Sequence, residues 1–241
     1  MKFRLRNLQV MRLRSDLALL PAGKLLINTI NAHSYNTARR DVLFAEALTG
    51  GDVLIADGIS IVKAKHRLCH EDIDRVAGAD LFAFEMDKLE RSGGGTCFFL
   101  GSSEDVLGRI RRRAATDYPH IRVHTYSPPY KAEFSDADNE AMIRAVNEAH
   151  PDLLWIGMTA PKQEKWAYAH LDALQVDCHI GTIGAVFDFY AGTVKRAPAW
   201  WQRHGLEWAY RLLKEPRRMW KRYLVGNTLF LWYMWRESRE S

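Results

Sequence analysis

The sequence predicts an alternating α/β domain built on a largely parallel sheet, and three observations carry that prediction. Apolar runs of strand length recur between helix-like stretches. A chain of 241 residues with 47% hydrophobic and 26% charged residues can bury a sizeable core, and its composition is that of a globular protein. Neither an internal repeat nor a low-complexity linker interrupts the alternation.

Taken in order, Leu25 to Thr29 reads as the first strand, and a helix from Ser34 to Leu48 follows, ended by Gly50 and Gly51. Val53 to Ala56 is the second strand, closed by Asp57-Gly58. A helix from Ala79 to Glu90 leads through Gly93 to Gly95 into a strand from Thr96 to Leu100 that stops at Gly101. Further strands are predicted at Ile121 to Tyr126, Leu153 to Gly157 and Val176 to Gly181, with helices at Asp136 to Ala149 and Lys162 to Leu174. The one boundary falls near Gly192 to Pro198, which divides a core at residues 1–192 from an appendage at 193–241. Two helices are expected beyond it, Ala199 to Lys214 and Pro216 to Trp235, with Pro216 in a first turn, where a missing N–H costs nothing.

Cys69, Cys97 and Cys178 are odd in number and widely spaced, which suggests neither a disulfide framework nor a zinc site and fits a reducing cytoplasm. The basic start has no uncharged apolar run longer than Leu17 to Ala22, so no export signal is expected. No run reaches the roughly 18 apolar residues that cross a bilayer. The net charge of +5 is unevenly spread. Nine Lys or Arg lie between Lys195 and Arg222 against Glu207 and Glu215, and six of the eight tryptophans follow residue 199. Cations beside aromatic rings suit a phosphate-bearing ligand or an anionic bilayer surface. Arg203, Arg211, Arg217 and Arg218 are candidates to neutralise a diphosphate, and the greasy end LVGNTLFLWYMW argues against nucleic acid. A basic helix with its apolar face in the core is the plain structural alternative.

Ligands of open α/β sheets bind beyond the carboxyl ends of the strands. That rule selects Thr29 and Asn31, Asp57, Gly101 with Ser102, Thr159 with the PKQE that follows, and Asp188. Asp57 reads equally as a general base for an attacking sugar hydroxyl and as a helix N-cap. Thr29 and Asn31 are suited to orienting a substrate, though such residues are common turn formers. In GMTAPKQEKW, Lys162 and Gln163 open a helix whose first N–H groups attract anions; an ordinary Pro-started helix is the alternative. Asp188, between two phenylalanines, reads as a site residue or as a buried structural aspartate. A GxGxxG after a strand and a Walker A motif are both absent. The DxD at Asp72 and Asp74 follows a polar run rather than a buried strand and is discounted as a metal site.

Six segments occur in an order that resembles the WecG/TagA/CpsF glycosyltransferase family, glycosyltransferase family 26, from Leu25 to Tyr223: NTINAHSYNTA, LIADGISIV, RVAGADLF, GMTAPKQEKW, GAVFDFYAGTVKRAP and LEWAYRLLKEPRR. The resemblance implies a Rossmann-like core of the GT-E type with a helical, membrane-associating C-terminal appendage. It also implies an inverting, metal-independent enzyme without cofactor that moves glucose, N-acetylmannosamine or its uronic acid from a UDP-sugar to a polyprenyl-diphosphate-linked sugar. The setting it implies is the cytoplasmic face of the inner membrane, peripherally bound, in cell-surface polysaccharide synthesis. By the resemblance Asp57 is the base, with Thr29 and Asn31 beside it. Gly101, Thr159, Lys162, Gln163 and Asp188 are expected at the nucleotide-sugar. Arg211, Arg218 and either Lys221 or Arg222 are expected to complete the site. GMTAPKQE departs from the family's glycine-rich version at Met158, Thr159 and Ala160, which suggests a different donor sugar. A chain cut after Gly192 is expected to be more soluble and almost inactive. The competing readings are a non-catalytic nucleotide-sugar or nucleic-acid binding protein and, third, a nicotinamide-dependent enzyme.

Overall fold

The computed structural model describes residues 3–195, 197–198, 200–201 and 204–240, with residue 218 described by its backbone alone. Six strands form one sheet: β1 (Leu25–Ile30), β2 (Val53–Ala56), β3 (Gly95–Gly101), β4 (Ile121–Tyr126), β5 (Leu153–Gly157) and β6 (His179–Thr182). Their order is β2-β1-β6-β5-β3-β4, and every neighbouring pair is parallel. All six carboxyl ends therefore meet at one edge. Helices cover both faces of the sheet, so β3 and β5 are nearly unbroken apolar runs, and Asn28 and Thr182, which β1 and β6 bury, pair with each other, the Thr182 hydroxyl donating to Asn28 Oδ1 at 2.8 Å.

On one face, Ile27, Ile55, Phe99 and Trp155 pack against α4 (Gly78–Arg91), α5 (Glu104–Asp117) and α8 (Val186–Ala191) through Phe82, Met86, Leu107, Ile110 and Phe187. On the other, Phe98, Leu154 and Ile180 pack against α6 (Asp136–Ala149) and α7 (Lys162–Ala169) through Met142 and Trp166. A third cluster, under β1 and β2, joins α1 (Ala32–Ala38), α2 (Val42–Thr49) and α3 (Ile59–Cys69) to Leu5, Leu8 and Val10 of the N-terminal segment.

The helix expected from Ser34 to Leu48 is two helices. Asn31 caps the first, its Oδ1 accepting from His33 N (3.0 Å) and Ser34 N (3.1 Å), and Asp41 caps the second, accepting from Phe44 N (3.0 Å). A second cap inside an apolar-periodic stretch ends one helix and restarts another. Three helices went unforeseen, α3, α5 and α8, and β6 starts at His179 rather than Val176. The Asp72/Asp74 carboxylates go to separate partners, His66 Nδ1 (2.8 Å) and Arg14 N (2.9 Å), which ties the N-terminal segment to α3.

Beyond β6, α9 (Glu207–Lys214) precedes a helical rod made of α10 (Pro216–Trp220), a π turn (Lys221–Val225) and α11 (Gly226–Arg239). The dihedrals at the junctions stay right-handed helical, φ −60° and ψ −45° at Trp220 and φ −65° and ψ −43° at Gly226, so the rod is continuous over about 36 Å. Its inner face places Phe230, Tyr233 and Met234 in the third cluster, against Tyr35. The outer face exposes Leu224, Val225, Leu231, Trp232 and Trp235. No helix among the described residues is long and apolar enough to cross a membrane.

This packing argues against the expectation that a chain cut after Gly192 gains solubility. Removing the rod would uncover the third cluster, from which Phe230 is only 2% exposed.

Candidate active site

The register Ile30↔Ala56 between β1 and β2 brings the next residues of each strand, Asn31 and Asp57, side by side at the carboxyl edge. Gly58 permits that approach, since an added Cβ would stand 3.0 Å from Asn31 Cβ. With its Oδ1 committed to capping α1, Asn31 turns its amide toward Asp57 and hydrogen-bonds the carboxylate. Asp57 is half-buried, and its N–H donates to Ile30 O at 3.0 Å.

The segment after α3 runs back along this edge, pinned by Val76 N donating to Ala56 O at 2.9 Å. That contact delivers Arg75, whose Nε donates to the Asp57 carbonyl at 2.9 Å and whose Nη2 pairs with the Glu207 carboxylate of α9. Gly205, at φ +67°, comes against Ile59, 3.0 Å from an added Cβ. The C-terminal region thus closes over Asp57. Loss of solvent raises the pKa of Asp57 above the usual carboxylate value. Arg75 opposes that shift, Glu207 adds to it, and the Asn31 hydrogen bond and Arg222 oppose it. Partial desolvation and, second, the Arg222 charge pull the neighbouring His33 down to about 4, so this imidazole is neutral at pH 7.

A second set of expected residues lies across β6. Gly101 (φ +122°) and Gly157 face one another in register, and an added Cβ on Gly101 would stand 2.5 Å from Gly157 O. Thr159 is exposed, and its carbonyl accepts from Lys162 N at 3.0 Å. Lys162 reaches away from Asp57, its Nζ donating to Lys131 O at 2.6 Å and lying 3.5 Å from the Phe134 ring centroid. Gln163 is buried, with Oε1 accepting from Met158 N at 3.2 Å and Nε2 donating to Glu164 at 2.9 Å. Asp188 lies in α8 and ties off that helix, its Oδ1 accepting from the Thr193 hydroxyl at 3.3 Å. Thr29 is half-buried one residue before the edge of β1.

Of the expected cations, Arg211 sits 5.8 Å from the Phe189 ring, its Nε buried without a hydrogen-bond partner among the described residues. Lys221 is exposed over Trp220, whereas the charge of Arg222 reaches Asp57 and His33. The side chain of Arg218 and all of Arg203 lie outside the described residues. Sequence reasoning missed Arg75, Glu207, His33 and Glu164. Glu207 left a signal, as one of two acids in a strongly basic stretch, and Arg75 left one as the only cation of an otherwise apolar VAGA approach; both were passed over.

The arrangement offers a carboxylate of raised pKa, an amide that orients it, and guanidinium groups drawn from two regions of the chain. It suits transfer of a proton from a hydroxyl beside a bound polyanion. A model of the glycosyl transferase WecG/TagA/CpsF family matches residues 2–241. The chain is 30% identical to an N-acetylglucosaminyldiphosphoundecaprenol N-acetyl-beta-D-mannosaminyltransferase of Bacillus subtilis (strain 168), over 83% of this chain and 75% of that protein. Proteins of the same description in Staphylococcus aureus (strain MW2) and Bacillus spizizenii are 28% and 29% identical, over 82% of this chain and 75% and 74% of theirs.

Proposed function

We propose a reaction from one premise: the chain belongs to the glycosyl transferase WecG/TagA/CpsF family. The reaction is the inverting transfer of a hexose or N-acetylhexosamine from a UDP-sugar to a polyprenyl-diphosphate-linked sugar. The printed names of the relatives favour N-acetylmannosamine as the donor sugar and N-acetylglucosamine on the acceptor. The pairing of Asp57 with a closing C-terminal region through Arg75 and Glu207 is the observation that carries this reading.

In the proposed step, the Asp57 carboxylate accepts the proton of the acceptor hydroxyl. That oxygen attacks the anomeric carbon from the face opposite the nucleotide, and the bond from that carbon to the β-phosphate oxygen breaks. Inversion follows from the single displacement. A base whose pKa is raised toward the working pH takes the proton more effectively, and Asn31 holds the carboxylate's aim. Arg222, Arg211 and Arg218 receive the departing UDP, with Arg222 rather than Lys221 nearest the base. Gly101 at the end of β3, Thr159 in the loop after β5, Lys162 and Gln163 at the start of α7 and Asp188 in α8 receive the nucleotide-sugar, and Thr29 lies at the end of β1 near Asn31. No metal or cofactor enters the step.

Exposed Trp232 and Trp235, each under an arginine (Arg236 5.0 Å and Arg239 4.1 Å from the ring centroids), suit an anionic bilayer surface. On this reading the enzyme sits peripherally on the cytoplasmic face of the plasma membrane, where its lipid-linked acceptor lies. The test is UDP release from a panel of UDP-sugars with a polyprenyl-diphosphate N-acetylglucosamine acceptor. Acceptor-dependent UDP release supports the reading, and its absence with every donor overturns it.

A further inference from the structure

Glu164, the third residue of α7, is 1% exposed, and no cation pairs with it among the described residues. Its Oε1 accepts from Gln163 Nε2, while Oε2 is buried without a hydrogen-bond partner. The direction of this chain is forced. The Met158 N–H can only donate, so it takes the oxygen end of Gln163 and leaves the amide NH₂ for Glu164. Gln163 also lies close to the loop after β6, where a Cβ added to Gly184 (φ +50°) would stand 3.5 Å from its amide. One side chain thus ties down the loop after β5 and packs beside the loop after β6, and Glu164 accepts the hydrogen bond that holds that side chain.

We propose that Glu164 is a positioning residue for the donor: uncharged, it holds Gln163, and through it residues 158–163, in the geometry that receives the nucleotide. The inference rests on the reading of that loop as part of the donor site. Burial lifts the Glu164 carboxyl from 4.5 to about 7, with the Gln163 hydrogen bond opposing. Among the described residues, the surrounding elements bring no counter-charge to it. In α6, whose Asn139 accepts from Trp166 of α7, Asp136, Glu140, Arg144 and Glu148 are exposed and Asp138 pairs with Lys131. β1 and β5 contain no titratable side chain, β6 contains only His179, at its opposite end, and α2 contains only the exposed Glu46. The Asp41 cap of α2 is paired with Lys165 at 2.5 Å. A buried carboxylate without a cation is unfavourable, so loss of the proton pulls Glu164 toward water and frees Gln163 from its partner.

The experiment is calorimetric UDP binding to the full chain at pH 6 to 8.5, for wild type, Glu164→Gln and Glu164→Ala, followed by donor KM and kcat over the same range. Comparing variants at each pH cancels the titration of UDP itself and of Asp57. Wild-type affinity is expected to weaken roughly tenfold across the range relative to Glu164→Gln, which accepts the same hydrogen bond and carries no charge. Glu164→Ala is expected to bind weakly at every pH, and the losses should fall on donor KM rather than kcat. Identical pH courses for wild type and Glu164→Gln would overturn this inference alone. A wild type that binds UDP at no pH overturns the donor reading, and this inference with it.

Discussion

At the far end of the C-terminal rod, Glu237 is 2% exposed and accepts from Leu5 N (3.2 Å), Arg6 N (3.4 Å) and the Tyr35 hydroxyl, with Arg39 Nη1 3.7 Å away. At the near end, α9 and the π turn bury no residue at all, and the charge of Arg222 reaches Asp57. The same stretch of sequence is thus core at one end and part of the candidate site at the other. The difference lies in what each end can satisfy within the chain. Glu237 finds its donors internally, whereas the sequence from Lys195 to Arg222 carries nine Lys or Arg against two acids, a positive surplus that suits a ligand bringing negative charge.

The sharpest way to break this comparison is to end the chain after Gly192. If the rod is core, the product loses Phe230, Tyr233, Met234 and the Glu237 cluster together, and should aggregate or unfold; a soluble, cooperatively melting product in calorimetry would show the rod to be a detachable appendage. Next in size is Asp57→Asn, expected to lower kcat by about 10²- to 10⁴-fold with UDP affinity and melting temperature nearly unchanged. A rate within threefold of wild type would remove Asp57 as the base. Glu237→Leu should cost about 3–5 kcal/mol, since Arg39, the Tyr35 hydroxyl and two backbone N–H groups lose their acceptor. That corresponds to roughly 6–20 °C in melting temperature, with kcat little affected at a temperature where the variant is folded. A loss of kcat larger than the loss of stability would mean that the two ends are coupled.

Glu164→Gln sharpens the picture from the core side. Below pH 4.5 the carboxyl is protonated in both folded and unfolded chains and contributes nothing. Between 4.5 and about 7 the folded chain keeps a proton that the unfolded chain releases, so stability falls as pH rises, and above 7 the loss is constant. The glutamine variant should therefore match wild type at pH 4 and exceed it by about 3 kcal/mol at pH 8 in denaturant titrations. The smallest expected effect is on the rod's outer face. Trp232→Glu with Trp235→Glu should weaken sedimentation with anionic vesicles severalfold and leave the melting temperature nearly unchanged, because both rings are already exposed.

Legibility from sequence followed the kind of interaction involved. Most strands were readable as short buried apolar runs, β4 as an alternating one, and Asp57 and Asn31 stood out as candidates because the carboxyl-edge rule needs only the end of such a run. Helix α5 was lost under its many arginines, and the split between α1 and α2 turned on a single Asp41 cap. The Arg75–Glu207 pair joins positions 132 apart, and no local pattern predicts a partner at that distance. Glu164 leaves no local signal, since its burial depends on α7 lying against the sheet.

The π turn at Lys221–Val225 fits one additional residue into a rod that otherwise winds regularly. Each helical residue advances the winding by about 100°, so the insertion sets the angular phase of Arg222 independently of the phase of Phe230 and Tyr233. Two faces can thereby aim at two targets from one unbroken axis, and deleting a single residue there would rotate one face off its target while leaving the other in place.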